Sequence, residues 1–206
     1  MHDHLALTAR SQRRGARRPH LGLRRAHPLL ALLARRIRDE IPLEQLIAPA
    51  VVIDVSAKAS ANPDYRLTAD DVRAWESQHG AIAAGTIVLL RTGWGTRWPN
   101  RKAYFGDDTP GRTTDLHFPS YGADAARLLV TDRRVAALGV DTASIDSGQA
   151  HDFIVHQIAS TANVPGLENI AHLERLPARG ALVIALAMKI ARGSGGPLRI
   201  VAVIPR

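Results

Sequence analysis

The sequence has 206 residues, of which 46% are hydrophobic, and this is enough for one domain with a sizeable core. It contains no cysteine, so disulfides and thiolate metal sites are excluded, and any metal must be held by His and carboxylate side chains. No apolar run reaches the about 18 residues that span a membrane, and we therefore expect a cytoplasmic protein without a membrane partner.

The positive charge is confined to the start of the chain. Residues 1–38 contain ten arginines and one acidic residue, Asp3, for a net charge of +9, whereas residues 39–206 contain 17 basic and 18 acidic residues, for −1. This division predicts an Arg-rich leader, residues 1–38, that is not part of the fold, followed by one folded domain, residues 39–206.

Four interpretations of the leader remain open. A basic arm for nucleic acid usually adds lysine and stacking aromatic residues, which the leader lacks, so this interpretation is not favoured. A transit peptide is Arg-rich and acid-poor but usually rich in serine, and only Ser11 is present. A solvated or partly helical extension over residues 28–41 is the third. The fourth, which we favour, is a frameshift or mis-start, because GC-rich coding sequence in a wrong frame gives Arg, Ala, Pro, Gly and Leu.

The body alternates between apolar runs and helix signals. The predicted strands are residues 50–55, 86–91, 135–140, 181–190 and 198–204, and the predicted helices are residues 68–79, 122–132 and 152–162. A capping-box-like start at Thr68 marks the first helix, and Gly80 marks its end. Because the last two strands are predicted to form a hairpin while the others alternate with helices, the pattern predicts an α/β fold with a mixed sheet.

A turn-rich loop, TGWGTRWP, follows the second strand and is expected to expose the indoles of Trp94 and Trp98. Aromatic rings beside glycines can form an apolar wall for a flat substrate ring. Capping of the core by both rings is an equally good interpretation. His117 follows another polar loop, and its side chain is expected either to border the site or to have a structural role.

The stretch from Gly139 to Leu176 holds most of the potential chemistry. His156 is predicted in the middle of a helix, and Asn163, Pro165 and Gly166 then turn the chain so that Glu168 can come close to it. An imidazole and a carboxylate suit zinc, manganese or iron, although a hydrogen-bonded pair is the commoner role and a catalytic zinc usually has three protein ligands.

Two acidic residues, Asp141 and Asp146, lie in the loop that follows the strand at residues 135–140. Loops after strands often carry the sites of α/β proteins. These carboxylates could orient ligand histidines, although capping of the loop is the commoner role.

The runs GVDTASID, HDFIVHQI, VPGLENIAHLERLPARGALVIALAMKI and GGPLRIVAVIP resemble the C-terminal part of the cyclase family of metal-dependent hydrolases, which includes bacterial kynurenine formamidase and isatin hydrolase. The resemblance covers residues 39–206 and implies the family's swivelling β/β/α fold and a homodimer or higher homo-oligomer. In that family a helical His and a Glu or Gln twelve residues later bind the metal, which implies His156 and Glu168 as ligands of zinc or manganese. The stretch around His117 resembles one that borders the active site.

The resemblance implies hydrolysis of a small aryl or cyclic amide, such as N-formylkynurenine to kynurenine plus formate in tryptophan catabolism. The family's other ligands and its acid–base histidine come from a motif, HxGTHxDxPxH, that should stand just before Asp39 and is not found there. No catalytic residue is therefore assigned, and we expect weak metal binding and impaired activity. The alternatives are an inactive family member with a structural or binding role, and nucleic-acid binding through the leader.

Overall fold

The computed structural model describes residues 5–7, 40–110, 112, 114–191 and 193–204. Of the Arg-rich leader, only Leu5–Leu7 falls in this range, as a short strand. The interpretations of the leader otherwise lie outside the described residues, and the domain boundary at Asp39 stays a prediction.

The chain forms nine strands and six α-helices over its described residues. The strands are β1 Leu5–Leu7, β2 Ile47–Asp54, β3 Arg66–Leu67, β4 Ile87–Arg91, β5 Ser120–Tyr121, β6 Ala137–Val140, β7 Gly166–Leu167, β8 Arg179–Ala187 and β9 Leu198–Val203. The helices are α1 Leu43–Leu46, α2 Ser56–Ala61, α3 Ala69–His79, α4 Arg101–Phe105, α5 Ala123–Arg127 and α6 Ile154–Thr161. Short 3-10 turns lie at Trp94–Arg97 and Leu173–Arg175, and a π-helical turn lies at Leu128–Asp132.

A seven-stranded sheet with the order β1-β9-β8-β2-β4-β6-β7 organises the molecule. The pairs β2–β4, β4–β6 and β6–β7 are parallel. Strand β8 pairs antiparallel with both β2 and β9. The predicted α/β fold with a mixed sheet is confirmed. Strands β3 and β5 form a separate parallel pair.

The central strands are buried on both faces. Val51 and Ile53 belong to a core cluster that includes residues of α3, α5 and α6, while their neighbours Ala50 and Val52 belong to a second cluster with residues of β8 and β9. Because successive side chains of a strand point to opposite faces, a strand covered on both sides has a continuous apolar sequence. This is why the runs that precede the site are so clearly recognisable in the sequence.

Helix α3 confirms its predicted start, because the Thr68 side chain accepts from Asp71 N while the Asp71 carboxylate accepts from Thr68 N. Trp75 secures the helix to the sheet, since its Nε1–H donates to the carbonyl of Val52 at 2.9 Å. Among the described helices, none combines the length and apolarity that crossing a bilayer requires.

Several boundaries differ from the predictions, and one helix was not predicted. The helix predicted at residues 122–132 changes from α to π at Leu128, and the strand predicted to reach residue 190 ends at Ala187. Helix α4 is absent from the predictions, although Asn100 caps it by accepting from Ala103 N. Such a short helix depends on its cap and its packing, and neither produces a long apolar period.

Candidate metal and substrate site

His156 lies in the first turns of α6 and is held by a carboxylate on the preceding loop. Asp146 is 1% exposed, and its Oδ1 and Oδ2 accept from the backbone N–H groups of Val155 and His156 at 2.8 and 3.0 Å. The same Oδ2 lies 2.6 Å from His156 Nδ1. Asp146 therefore caps the helix and fixes the orientation of the imidazole. That His156 is a metal ligand, which Asp146 would then orient, stays a prediction.

The other imidazole nitrogen faces Glu168. His156 Nε2 lies 3.4 Å from Glu168 Oε1, so the structure brings the predicted pair within the distance that a shared metal ion requires. Glu168 follows the two-residue strand β7, and its Oε1 also accepts from Ile145 N at 3.1 Å. Strand β7 is paired with β6, which is how the turn after α6 returns the chain to the histidine.

The carboxylates around His156 control its protonation. Burial alone would lower the pKa of His156, but the hydrogen bonds and negative charges of Asp146 and Glu168 outweigh it and raise the pKa to about 9. In the metal-free protein the imidazole is therefore protonated at neutral pH. A metal ion has to displace that proton before Nε2 can act as a ligand.

The donor set fits part of a metal site. A proton on His156 Nδ1 directed at Asp146 leaves the Nε2 lone pair for a metal, and Glu168 supplies an oxygen beside it. In the part of the chain that the structure describes, however, no group of three or more His, Asp or Glu residues is arranged to hold a metal ion. The fit is that of two ligands, one fewer than a catalytic zinc usually has.

Asp141 does not orient a histidine. Its carboxylate accepts from the backbone N–H and hydroxyl of Thr92 at 2.9 and 2.6 Å and from Gly93 N at 2.9 Å. Burial raises the pKa of Asp141, and these hydrogen bonds offset part of the effect. Asp141 therefore fastens the loop after β4 to the loop after β6, which is the capping role that the sequence left open for it.

The two predicted indoles have different environments. Trp94 is 2% exposed and its Nε1–H donates to the Tyr104 carbonyl at 2.8 Å, so the expectation that the loop exposes both rings is wrong for Trp94. Trp98 is half-buried and packs edge-to-face on Tyr104 with the ring centroids 5.1 Å apart. Their contact with a substrate stays a prediction.

A cavity of about 210 Å³ is lined by Asn169, the residue after Glu168, and by Trp98, Tyr104 and Asp141. The buried Tyr104 hydroxyl donates to Asn169 Oδ1 at 2.9 Å and lies 3.2 Å from the Asp141 carbonyl. Sequence reasoning missed Tyr104 and Asn169. The position of Asn169 directly after Glu168 was the available signal for one of them, while Tyr104 belongs to the unpredicted helix α4.

His117 lies in a separate cluster. Its Nδ1 is 2.9 Å from Asp64 Oδ2, and Gln149 Nε2 approaches its Nε2 at 3.1 Å. No hydrogen bond or ion pair joins it to His156 or Glu168 in the residues that the structure describes. Its predicted contact with a substrate also stays a prediction.

Comparison with known proteins places this chain in a family. A family model for the cyclases matches residues 8–147, which is more than half of the chain. The chain belongs to the Cyclase family. The match begins inside the leader and ends before His156, so the candidate ligand pair lies beyond its last residue.

Isatin hydrolase from Roseibium aggregatum is 38% identical over 172 residues, which make up 82% of this chain and 64% of that protein. The chain thus spans less than two thirds of that relative's length. Kynurenine formamidase from Salinibacter ruber is 26% identical over 187 residues, or 88% of this chain and 74% of that protein.

A crystal structure of an isatin hydrolase bound to the product analogue thioisatinate shares the fold. It superposes with a TM-score of 0.77 at 37% identity, covering 82% of this chain and 64% of that chain. The fold of this cyclase-family chain therefore agrees with that of a solved hydrolase.

Proposed function

We propose that this cyclase-family chain is a metal-dependent hydrolase of a small cyclic or aryl amide. The observation that carries the proposal is the arrangement of His156, with Nδ1 held by the buried Asp146 and Nε2 facing Glu168 at 3.4 Å. The higher identity to an isatin hydrolase than to a kynurenine formamidase supports a cyclic amide over N-formylkynurenine.

His156 and Glu168 would hold a divalent ion, zinc or manganese. Such an ion supplies polarisation of the substrate carbonyl and a lowered pKa for the attacking water. Asp146 keeps the imidazole in one orientation and Trp98, with Tyr104, offers a flat substrate ring an apolar surface. Hydrolysis adds water across the C–N bond, so the carbonyl carbon becomes a carboxylate and the nitrogen becomes an amine, which in a cyclic amide stays on the same ring-opened product.

The proposal includes weak metal binding by the chain as written. The described residues offer two ligands, and a missing strong ligand lowers metal affinity by orders of magnitude. A homodimer partner would carry the same sequence and would not supply the motif HxGTHxDxPxH. This favours one second candidate, an inactive family member with a binding role, and metal content separates the two.

The experiment compares the natural chain with a chimera in which residues 1–38 are replaced by a segment carrying HxGTHxDxPxH directly before Asp39. Metal content is measured by mass spectrometry, and hydrolysis is followed by absorbance with isatin and with an N-formyl arylamine. We expect near-stoichiometric metal and fast isatin ring opening in the chimera, and little metal and slow ring opening in the natural chain.

In the chimera, His156→Ala and Glu168→Ala should each lower metal content and activity at least about 100-fold, because each removes a ligand. His151→Ala is the matched control, since this exposed histidine lies five residues before His156 and should leave both unchanged. A natural chain that already carries stoichiometric metal and turns over isatin would contradict the predicted impairment. A chimera that holds metal without hydrolysing either amide would favour the binding protein.

A further inference from the structure

A second cavity, of about 430 Å³, lies beside the 3-10 turn Trp94–Arg97. This turn contributes Trp94 and Arg97 to it and contributes Gly95 and Thr96 to the smaller cavity next to Asn169. Neither His156 nor Glu168 lines the second cavity. Its volume is that of sites for small organic molecules, and it is separate from the proposed metal ligands.

Two cations face this cavity without a carboxylate to neutralise them. Arg97 and Lys102 line it, and no ion pair joins either to an acidic residue in the described part of the chain. Four described arginines are paired with Asp or Glu, namely Arg73, Arg91, Arg112 and Arg133, whereas others, such as Arg101, are in no ion pair among the described residues. The carboxylates adjacent to lining residues have other partners: Asp64 lies 2.9 Å from His117 Nδ1, and Asp107 lies 3.7 Å from Arg112 Nε. The local charge is therefore positive.

Arg97 is held in place by an aromatic ring. Its guanidinium carbon lies 3.5 Å from the centroid of the Trp94 ring, a cation–π stack. Trp94 is itself fixed by burial and by its hydrogen bond to the Tyr104 carbonyl. A guanidinium stacked on one face keeps its N–H donors along its edge, and this planar fork matches the two oxygens of a carboxylate.

We propose that this cavity is a binding site for a small organic carboxylate with an apolar body. Arg97 and Lys102 bind the carboxylate, and the apolar lining residues Pro63 and Ala103 contact the body. The apolar lining is the reason for an organic acid rather than inorganic phosphate, because phosphate would leave that surface uncovered. The site is separate from the proposed metal ligands, since neither His156 nor Glu168 lines it.

The test uses the full chain in its metal-free form with benzoate as the probe, by isothermal titration calorimetry at low ionic strength. Benzoate should bind saturably and at least about tenfold more tightly than benzamide, which has the same ring and no charge. Arg97→Gln should weaken benzoate binding about tenfold or more, and Lys102→Gln about threefold, because Arg97 is the preorganised group.

Arg101→Gln is the matched control. Arg101 also lies over an aromatic ring, with its guanidinium carbon 5.4 Å from the Phe105 centroid, but it does not line the cavity. Its substitution should change benzoate affinity less than twofold. A second variant, Arg97→Lys, keeps the charge without the planar fork and should give intermediate affinity even if Arg97→Gln fails to fold.

Three results would overturn the proposal. Equal affinity for benzoate and benzamide would show that charge is not recognised, and equal affinity for inorganic phosphate would show that the apolar wall is not used. An Arg101→Gln variant as weak as Arg97→Gln would show that only overall charge matters. Each result leaves the proposed hydrolysis untouched, because metal content and ring opening are measured on the chimera.

Discussion

Asp146 is one buried carboxylate that serves both the helix and the imidazole. It accepts from two backbone N–H groups at the start of α6 and from the His156 ring. The first turn of a helix leaves such N–H groups without helical partners, so a carboxylate there also gains from the helix dipole. The orientation of the His156 ring thus depends on the same carboxylate that caps the start of its helix.

We therefore expect Asp146→Asn to lower the free energy of unfolding of the metal-free protein by about 1–2 kcal/mol, because an amide cannot accept all three donors. Urea denaturation measures it. Asp152→Asn is the control: its Oδ1 accepts from Ile154 N at 3.3 Å on the surface, and its effect should stay below about 0.5 kcal/mol. Equal losses of stability for both variants would show that the Asp146 carboxylate does not stabilise the start of α6 more than a surface carboxylate does.

Asp71 is the second carboxylate whose environment is informative. Burial would raise its pKa, but hydrogen bonds from Lys58, Tyr65 and Thr68 outweigh this and lower the pKa to about 2 from the ordinary value of 3.8. A carboxyl group whose pKa is lowered in the folded state stabilises the fold at pH values above its ordinary pKa. The contribution is then lost as the pH falls from 3.8 through about 2.

Asp71→Asn should accordingly lower the free energy of unfolding by about 1–2 kcal/mol at pH 7, and by less at each step below pH 4. Urea titrations of both proteins from pH 7 to pH 3 test this. Asp70→Asn provides the adjacent control, because the Asp70 side chain is 92% exposed and pairs with Arg73 at the surface. A destabilisation that does not shrink with acidification would show that the Asp71 charge is not what stabilises α3.

At the scale of elements, the loop after β6 passes very close to the segment before β5. A side chain on Gly148 would place its Cβ within 2.8 Å of Leu116 Cβ and closer still to the Leu116 carbonyl. Because the obstacle includes backbone, it cannot move aside as the end of a side chain can. Glycine at this position lets the loop that carries Asp146 approach the segment that carries His117.

Gly148→Ala should therefore destabilise the protein by about 1–3 kcal/mol, the usual cost of overpacking. Thermal denaturation against Gly95→Ala makes a fair comparison, because a Cβ at Gly95 would meet its nearest atoms at the ordinary distances of 3.9 and 4.0 Å. We expect Gly95→Ala to be neutral within about 0.5 kcal/mol. Comparable melting temperatures for the two variants would mean that the segment carrying Leu116 yields easily.

At the scale of the whole molecule, charge is divided between two regions that differ in sign. Residues 1–38 carry +9 and residues 39–206 carry −1, which gives the sequence isoelectric point of about 10.9. Clustered arginines attract phosphates without reading bases, and such binding weakens steeply with salt.

The full chain should therefore bind duplex DNA at 50 mM salt without sequence preference and lose about 10³-fold in affinity by 200 mM. Fluorescence anisotropy with two unrelated duplexes measures this. A variant with the ten arginines of residues 1–38 replaced by glutamine keeps the chain length and should not bind. Salt-resistant or sequence-selective binding would instead support nucleic-acid binding as a function of the leader.

The sequence by itself determined the strands β2, β4, β6, β8 and β9, the start of α3 and the mixed sheet. Strands covered on both faces need continuous apolar runs, and a capping box needs particular residues at fixed spacing, so both are recorded locally. The pair His156 and Glu168 was also accessible, because one helix and one turn separate them.

The tertiary structure alone decided which loops meet. Asp141 and Asp146 look alike in the sequence, yet one binds Thr92 and Gly93 and the other binds His156. Trp94 and Trp98 differ in the same way, since only Trp94 is held beneath Arg97. The partner of a loop side chain is a residue far away along the chain, and the local periodicity of the sequence does not indicate which residue that is.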